Sequence, residues 1–117
     1  MKIIPLAPDP ETQCPVTYCL SVIGGKWKPV IIFCIVNGVD RFGALQRAVP
    51  KITKQMLTKQ LRELEADGLV TRTVYPEVPP RVDYALTDRG RSVLPVIEAM
   101  KAWGEAKVSA PDNTGRS

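Results

Sequence analysis

A mainly α chain carrying one small β-hairpin (α+β) is what this sequence predicts, on three observations. Between Thr53 and Gly68 the residues Leu57, Leu61 and Leu64 recur at i, i+4 and i+7, the spacing of one helix face. After Gly68 the period falls to two, with Val70, Arg72 and Val74 alternating against Thr71 and Thr73. A proline-rich break, Pro76-Glu77-Val78-Pro79-Pro80, then leads to a second strand-like run, Arg81 to Leu86. Two short helices followed directly by such a hairpin form a winged helix-turn-helix domain, here with further helices at both ends.

The 117 residues suffice for one domain. It divides into a flexible arm at 1–13, the domain at 14–107 and a disordered tail at 108–117. The net charge of +4 suits a polyanionic partner without requiring one. No apolar run approaches the roughly 18 residues of a membrane span, and Pro5, Pro8 and Pro10 interrupt the N-terminus where a signal peptide would be apolar. A soluble, cytoplasmic protein with no membrane partner is expected. Cys14, Cys19 and Cys34 are an odd number of thiols without paired spacing, and histidine is absent. A disulfide scaffold, a structural zinc site and any His-based catalytic unit are therefore not expected, nor is a cofactor or an enzymatic activity.

In chain order, Pro15 suits the first position of a helix, and Val16, Cys19, Leu20 and Ile23 supply an apolar stripe that Gly24-Gly25 ends. Val30 to Val36 is apolar all round, so periodicity alone does not separate a buried strand from a buried helix. Trp27 at its start and Pro29, tolerated in a first turn, favour a short central helix. Phe42, Leu45 and Val49 then mark a helix closed by Pro50. A short step through Lys51-Ile52 reaches the helix that begins after Thr53, its expected N-cap, and ends at Gly68, its expected C′ residue.

On that helix Gln55, Thr58, Lys59 and Arg62 lie opposite the leucines. Its charges run against the helix dipole, with Lys54 and Lys59 early and Glu63, Glu65 and Asp67 late. Amines, amides and a guanidinium displayed this way suit docking on nucleic acid, where amines meet phosphates and amides meet base edges. By themselves the same residues also describe a solvated surface helix.

Arg72 and Arg81 flank the hairpin loop, where they reach phosphates or the minor groove, or else serve as cross-strand partners of Asp83 or Glu77. Thr87 is the expected N-cap of a last helical segment, which Pro95 bends or restarts. Val93, Ile97 and Met100 share a face there, joined by Leu94, Val96 and Trp103. Either this segment packs back on the core, or Val93, Ile97, Met100 and Trp103 form a dimer interface; the Met and Trp favour the interface.

Cys14-Pro15-Val16, Gly24-Gly25-Lys26-Trp27, Arg41-Phe42-Gly43, Leu57-Thr58 with Leu61-Arg62-Glu63-Leu64-Glu65, Asp67-Gly68-Leu69-Val70, Tyr75 to Tyr84, and Leu86-Thr87 with Gly90 follow one another in an order that resembles the HxlR-type winged helix-turn-helix transcriptional regulators, relatives of the MarR group. The resemblance covers residues 14 to 105. It implies a bacterial or archaeal regulator that binds double-stranded DNA as a homodimer through its terminal helices, on a near-palindromic operator. The family includes sensors of disulfide stress, quinones and aldehydes whose sensing thiol lies near the first helix, and Cys14 occupies that place. A thiolate just before a Pro-initiated helix also gains from the helix dipole. Cys19 and Cys34 read as small core residues.

The expected DNA-binding residues are Thr53, Lys54, Gln55, Thr58, Lys59 and Arg62 in the major groove, with Arg72 and Arg81 on the wing. Gln55 is the expected base reader, and Lys54 and Lys59 the expected phosphate contacts. An effector, either an oxidant acting through Cys14 or a small molecule between the wing domain and the dimer helices, would change the separation of the two reading helices. The alternatives are a ligand-responsive regulator with no thiol switch and a winged helix used as a protein-interaction module. A thiol enzyme built on Cys14 lacks a visible general base.

Overall fold

The computed structural model describes residues 14–108, so the expected arm at 1–13 and residues 109–117 of the expected tail lie outside the described residues. Its elements are α1 (Pro15–Ile23), α2 (Lys28–Val36), α3 (Phe42–Ala48), α4 (Lys54–Ala66), β1 (Val70–Tyr75), β2 (Arg81–Leu86), α5 (Asp88–Ser92) and α6 (Leu94–Val108). Val108, expected in the tail, ends α6. The mainly helical chain with one antiparallel hairpin is the winged helix fold expected. No single helix among the described residues is long and apolar enough to cross a membrane.

The all-apolar segment is a helix, and it forms the centre of the domain. Ile31, Ile32 and Ile35 of α2 are buried, and α2 packs on α3, α4, α6 and β2. Leu45 and Val49 join it from α3 and its C-cap, Leu57, Leu61 and Leu64 from α4, Leu69 and Val70 from the start of the hairpin, and Ile97 from α6. Cys19 and Cys34 pack against this core partly buried.

α1 departs from expectation. Its buried residues are Val22 and Ile23, whereas Val16 is 59% and Leu20 58% exposed. Of the stripe read from the sequence, Cys19 and Ile23 face the core and Val16 and Leu20 do not. α1 lies at the edge of the domain and turns its Cys19, Val22 and Ile23 side inward, leaving Val16 and Leu20 exposed among the described residues.

The ends of α4 are as read. The Thr53 hydroxyl accepts from the Met56 amide at 3.0 Å. At the other end Gly68 takes φ +77°, and the Gly68 and Leu69 amides donate to the Glu65 and Leu64 carbonyls at 3.0 and 2.9 Å. This is a Schellman closure, whose left-handed residue is best supplied by glycine. The hairpin pairs Val70 with Leu86, Arg72 with Tyr84 and Tyr75 with Arg81. An extra bridge joins Arg41 to Asp83, and the Tyr84 amide donates to the Asp40 carbonyl at 2.8 Å. The entry to α3 is thereby fastened to β2.

Thr87 caps α5 by accepting from the Gly90 amide at 3.0 Å while donating to the Gly68 carbonyl at 2.5 Å. A Cβ on Gly90 would collide with the Leu69 carbonyl oxygen, so this close approach of two backbones requires glycine. Pro95 does restart the helix: α5 ends at Ser92 and α6 begins at Leu94.

Candidate nucleic-acid interface

The outer arc of α4 follows from its inner one. With Leu57, Leu61 and Leu64 buried, Lys54, Gln55, Lys59 and Arg62 are exposed and Thr58 is half-buried. Lys54, Gln55, Thr58, Lys59, Arg62 and Glu63 line one open depression of about 610 Å³. Lys54 and Arg62 form no ion pair among the described residues. The Thr58 hydroxyl donates to the Lys54 carbonyl at 2.9 Å, and its oxygen can still accept. Thr53 spends its oxygen on the helix cap, which leaves its proton to donate.

Lys59 is 3.1 Å from Glu63, but Glu63 has a second and closer partner, Lys28 of α2, at 2.8 Å. Lys28 is only 8% exposed and is the one charged residue among the described buried residues. A buried ammonium requires a counter-charge, and Glu63 supplies it. The acidic end of α4 is therefore partly structural: the hydrogen bond from Lys28 first, and then that from Lys59, hold the Glu63 carboxyl below its ordinary range.

Arg72 stands opposite Tyr84 on the hairpin face that meets α4, and together with Phe42, Thr58, Arg62, Glu65 and Val82 they line a cleft of about 280 Å³. Burial pushes the Tyr84 phenol up, and the charge and hydrogen bond of Arg72 act in the opposite direction. Arg72 thus joins Arg62 beside the arc of α4. Arg81 is more constrained, with Asp83 at 3.4 Å, Glu77 at 3.7 Å and the Tyr75 ring 3.9 Å from its guanidinium carbon. Asp83 and Glu77, the partners named by the alternative reading, are its resting contacts, but along β2 and from the loop, while Tyr75 is the residue across the hairpin.

Cys14 is the N-cap of α1. Its thiol closes no cap hydrogen bond by geometry, yet the Thr17 amide and hydroxyl, and then the Val16 amide, favour the thiolate and lower its pKa. Cys34 moves the other way, raised by burial. Of the residues expected at a dimer interface, Trp103 is 69% exposed and Met100 is also exposed, Val93 is half-buried, and Ile97 is 4% exposed within its own core. Ile97 is turned toward Pro29, Val30 and Phe33 of α2. Val96, Met100 and Trp103 form the exposed stripe instead, next to the α1 residues Tyr18 and Cys19, which share a small hollow with Val93 and Val96. Sequence reasoning missed Val16, Tyr18 and Leu20 as exposed apolar surface; their number on so short a helix was the available signal.

A capped helix with a free polar arc, preceded by a short helix and followed by a hairpin, defines a winged helix-turn-helix, the class of domain that presents one helix to DNA. The chain belongs to the HxlR-like helix-turn-helix family, whose model matches residues 22–112. It is 48% identical over 107 residues to an HTH-type transcriptional regulator of Methanothermobacter thermautotrophicus, covering 92% of this chain and 82% of that one. Against the HTH-type transcriptional regulator YybR of Bacillus subtilis it is 53% identical over 93 residues, covering 80% and 74%. The solved structure of the redox regulator HypR in its oxidized form is similar with a TM-score of 0.76 at 52% identity, over 85% of this chain and 99% of that one. The protein is a transcriptional regulator of the helix-turn-helix type.

The Lys28–Glu63 pair has a pH signature. A carboxyl whose pKa is lowered on folding contributes stability above its unfolded pKa and loses it as pH falls through the folded one. In denaturant titrations Glu63→Gln is expected to be less stable than wild type at neutral pH, with the gap closing as the pH is taken below the ordinary carboxylate range. A gap that stays constant with pH would show that the charge on Glu63 is not the cause.

Proposed function

We propose that the protein regulates transcription by binding a near-palindromic duplex as a homodimer, with α4 of each copy in the major groove. The observation that carries this reading is the unpaired arc of Lys54, Gln55 and Arg62 above a fully buried leucine face, flanked by Arg72. Gln55 reads a base edge, Lys54 and Lys59 meet phosphates, Thr53, Thr58 and Arg62 support them, and Arg72 approaches the backbone from the wing. Arg81 orders the wing and offers its remaining N–H groups. Such a regulator works in the cytoplasm, at the DNA. Gln55→Ala is expected to cost about 1–3 kcal/mol on DNA from upstream of the protein's own gene and to relax specificity at one position. Lys54→Ala is expected to weaken binding to all sequences and to flatten the salt dependence by about one unit of slope. Unchanged binding in both variants, measured by fluorescence anisotropy, would mean that α4 is not the reading helix. Binding insensitive to salt would point to a protein-interaction module instead.

The exposed stripe Val96, Met100 and Trp103, with Val16, Tyr18 and Leu20 of α1 nearby, supports dimerisation through the terminal helices, Val93 lying at its inner edge. A Leu20→Glu, Trp103→Glu double variant is expected to sediment as a monomer at concentrations where wild type is a dimer; a variant that stays dimeric rules this surface out.

Redox sensing through Cys14 draws on two supports: the likeness to HypR, a redox regulator, and the lowered pKa of the Cys14 thiol. In a gel-shift assay diamide is expected to alter DNA binding by wild type and not by Cys14→Ser. Equal responses from both would remove the thiol switch. The reading would then pass to a small-molecule effector, for which the groove of about 330 Å³ between α2 and α6, lined by Val30, Phe33, Met100 and Lys101, has the apolar walls.

A further inference from the structure

Three arginines meet in a groove that the arc of α4 does not include. It lies between α3 and the hairpin loop, holds about 440 Å³, and is lined by Arg41, Arg47 and Arg81 together with Phe42, Pro79 and Pro80. Its carboxylates are already shared: Asp83 lies 3.5 Å from Arg41 and 3.4 Å from Arg81, and Glu77 lies 3.7 Å from Arg81. The distances exceed good charge-assisted hydrogen bonds, and Arg81 Nε and Asp83 Oδ1 are buried without a hydrogen-bond partner. Arg47 is exposed and forms no ion pair among the described residues. It lies along α3, where a Cβ on Gly43 would come 3.4 Å from its Nη1. Three guanidinium groups thus face two carboxylates, and the groove carries an excess of positive charge.

The groove is also continuous with the arc of α4. Phe42 and Val82 line both it and the cleft that holds Arg72. Thr58 and Arg62 line both that cleft and the open face of α4. From Gln55 to Arg47 the surface is therefore one track, with Arg62, Arg72, Arg41 and Arg47 at intervals along it.

We propose that this groove seats the sugar-phosphate backbone flanking the segment that α4 reads, with Arg47 as its principal phosphate contact and Arg41 as its second. The proposal rests on the DNA-binding reading of α4 and lengthens the footprint in one direction, toward the wing. Guanidinium groups match phosphate oxygens two at a time, which the half-buried Asp83 carboxylate, 3.5 Å away and shared with Arg81, does not offer Arg41. Arg81, stacked on Tyr75 and held by two carboxylates, fixes the wall of the groove.

Backbone contacts are indifferent to sequence and additive in salt dependence, so the test uses a mixed-sequence duplex of about 30 base pairs titrated at several salt concentrations. Arg47→Ala is expected to weaken binding several-fold and to lower the slope of log affinity against log salt by about 0.9 for each phosphate that is no longer neutralised. Arg47→Lys is expected to keep the slope. If Lys54→Ala flattens the slope while Arg47→Ala matches wild type, this inference is overturned and the reading of α4 stands. If neither variant changes anything, both fall. Loss of slope in Arg47→Lys as well, or an Arg47→Ala effect confined to one DNA sequence, also overturns a backbone seat.

Discussion

Leu57, Leu61 and Leu64 are at most 1% exposed, and their burial decides what the rest of α4 presents. Each buried leucine is worth roughly 1.5–3 kcal/mol. Rolling the helix by one residue's worth of rotation, about 100°, would expose them and bury Lys54 or Arg62 in their place. No surface charge interaction is of that size, so the orientation of Gln55, Lys54 and Arg62 is dictated from the core. Arrangement of the polar arc costs the fold little, because the leucines carry the stability.

Part of the charge order of α4 has a different origin from the one its sequence suggests. Acidic residues late in a helix forgo contributions of roughly 0.3–1 kcal/mol each, which reads as a concession to function. Glu63, however, neutralises the buried Lys28 of α2 at 2.8 Å. Removing Glu63 leaves the Lys28 ammonium buried without its counter-charge, a larger penalty than the dipole term. The basic start of α4 remains unexplained by packing, and it is this half that bears on DNA. The far end is fastened as firmly: the Arg89 guanidinium donates to the Asp67 carbonyl at 2.9 Å and to the Tyr18 hydroxyl at 2.8 Å, while the Thr87 amide donates to the Leu69 carbonyl at 3.0 Å. Helix end, hairpin start, α5 and α1 converge on one junction, so the wing leaves α4 in a fixed direction.

What is legible in the sequence is local. Thr53 and Gly68 bound α4 because caps act within a few residues of themselves, and the period-two runs mark both strands. The class of α2 is open by periodicity, since an apolar run has none; Trp27 and Pro29 resolve it. The pairings that depend on distant residues are not legible. Nothing about Lys28 announces Glu63, and nothing about Asp40 or Arg41 announces their pairing with Tyr84 and Asp83. The turn between α3 and α4 places Lys51 at φ +67°, a conformation whose usual residues are Gly and Asn. Ile97 and Trp103 group together in sequence because α6 is apolar on several sides, and a pattern without a clear polar face does not say which side meets the core.

The same distinction separates the arginines and lysines available to a partner from those that are not. An exposed ion pair such as Lys59–Glu63 contributes little to stability and is open to exchange with a phosphate. Glu63 retains Lys28 when Lys59 leaves, so no carboxylate is stranded. Arg81 is in a different position: releasing it would break contacts to Asp83 and Glu77 and its stacking on Tyr75 together. Arg41 lies between these cases, exposed and sharing Asp83 with Arg81. Charge that is free to move to a ligand accordingly increases from the hairpin outward, through Arg41 to Arg47 on one side and through Arg72 to Lys54 on the other. Affinity for a polyanion draws on the free charges, whereas the geometry that positions them draws on the bound ones.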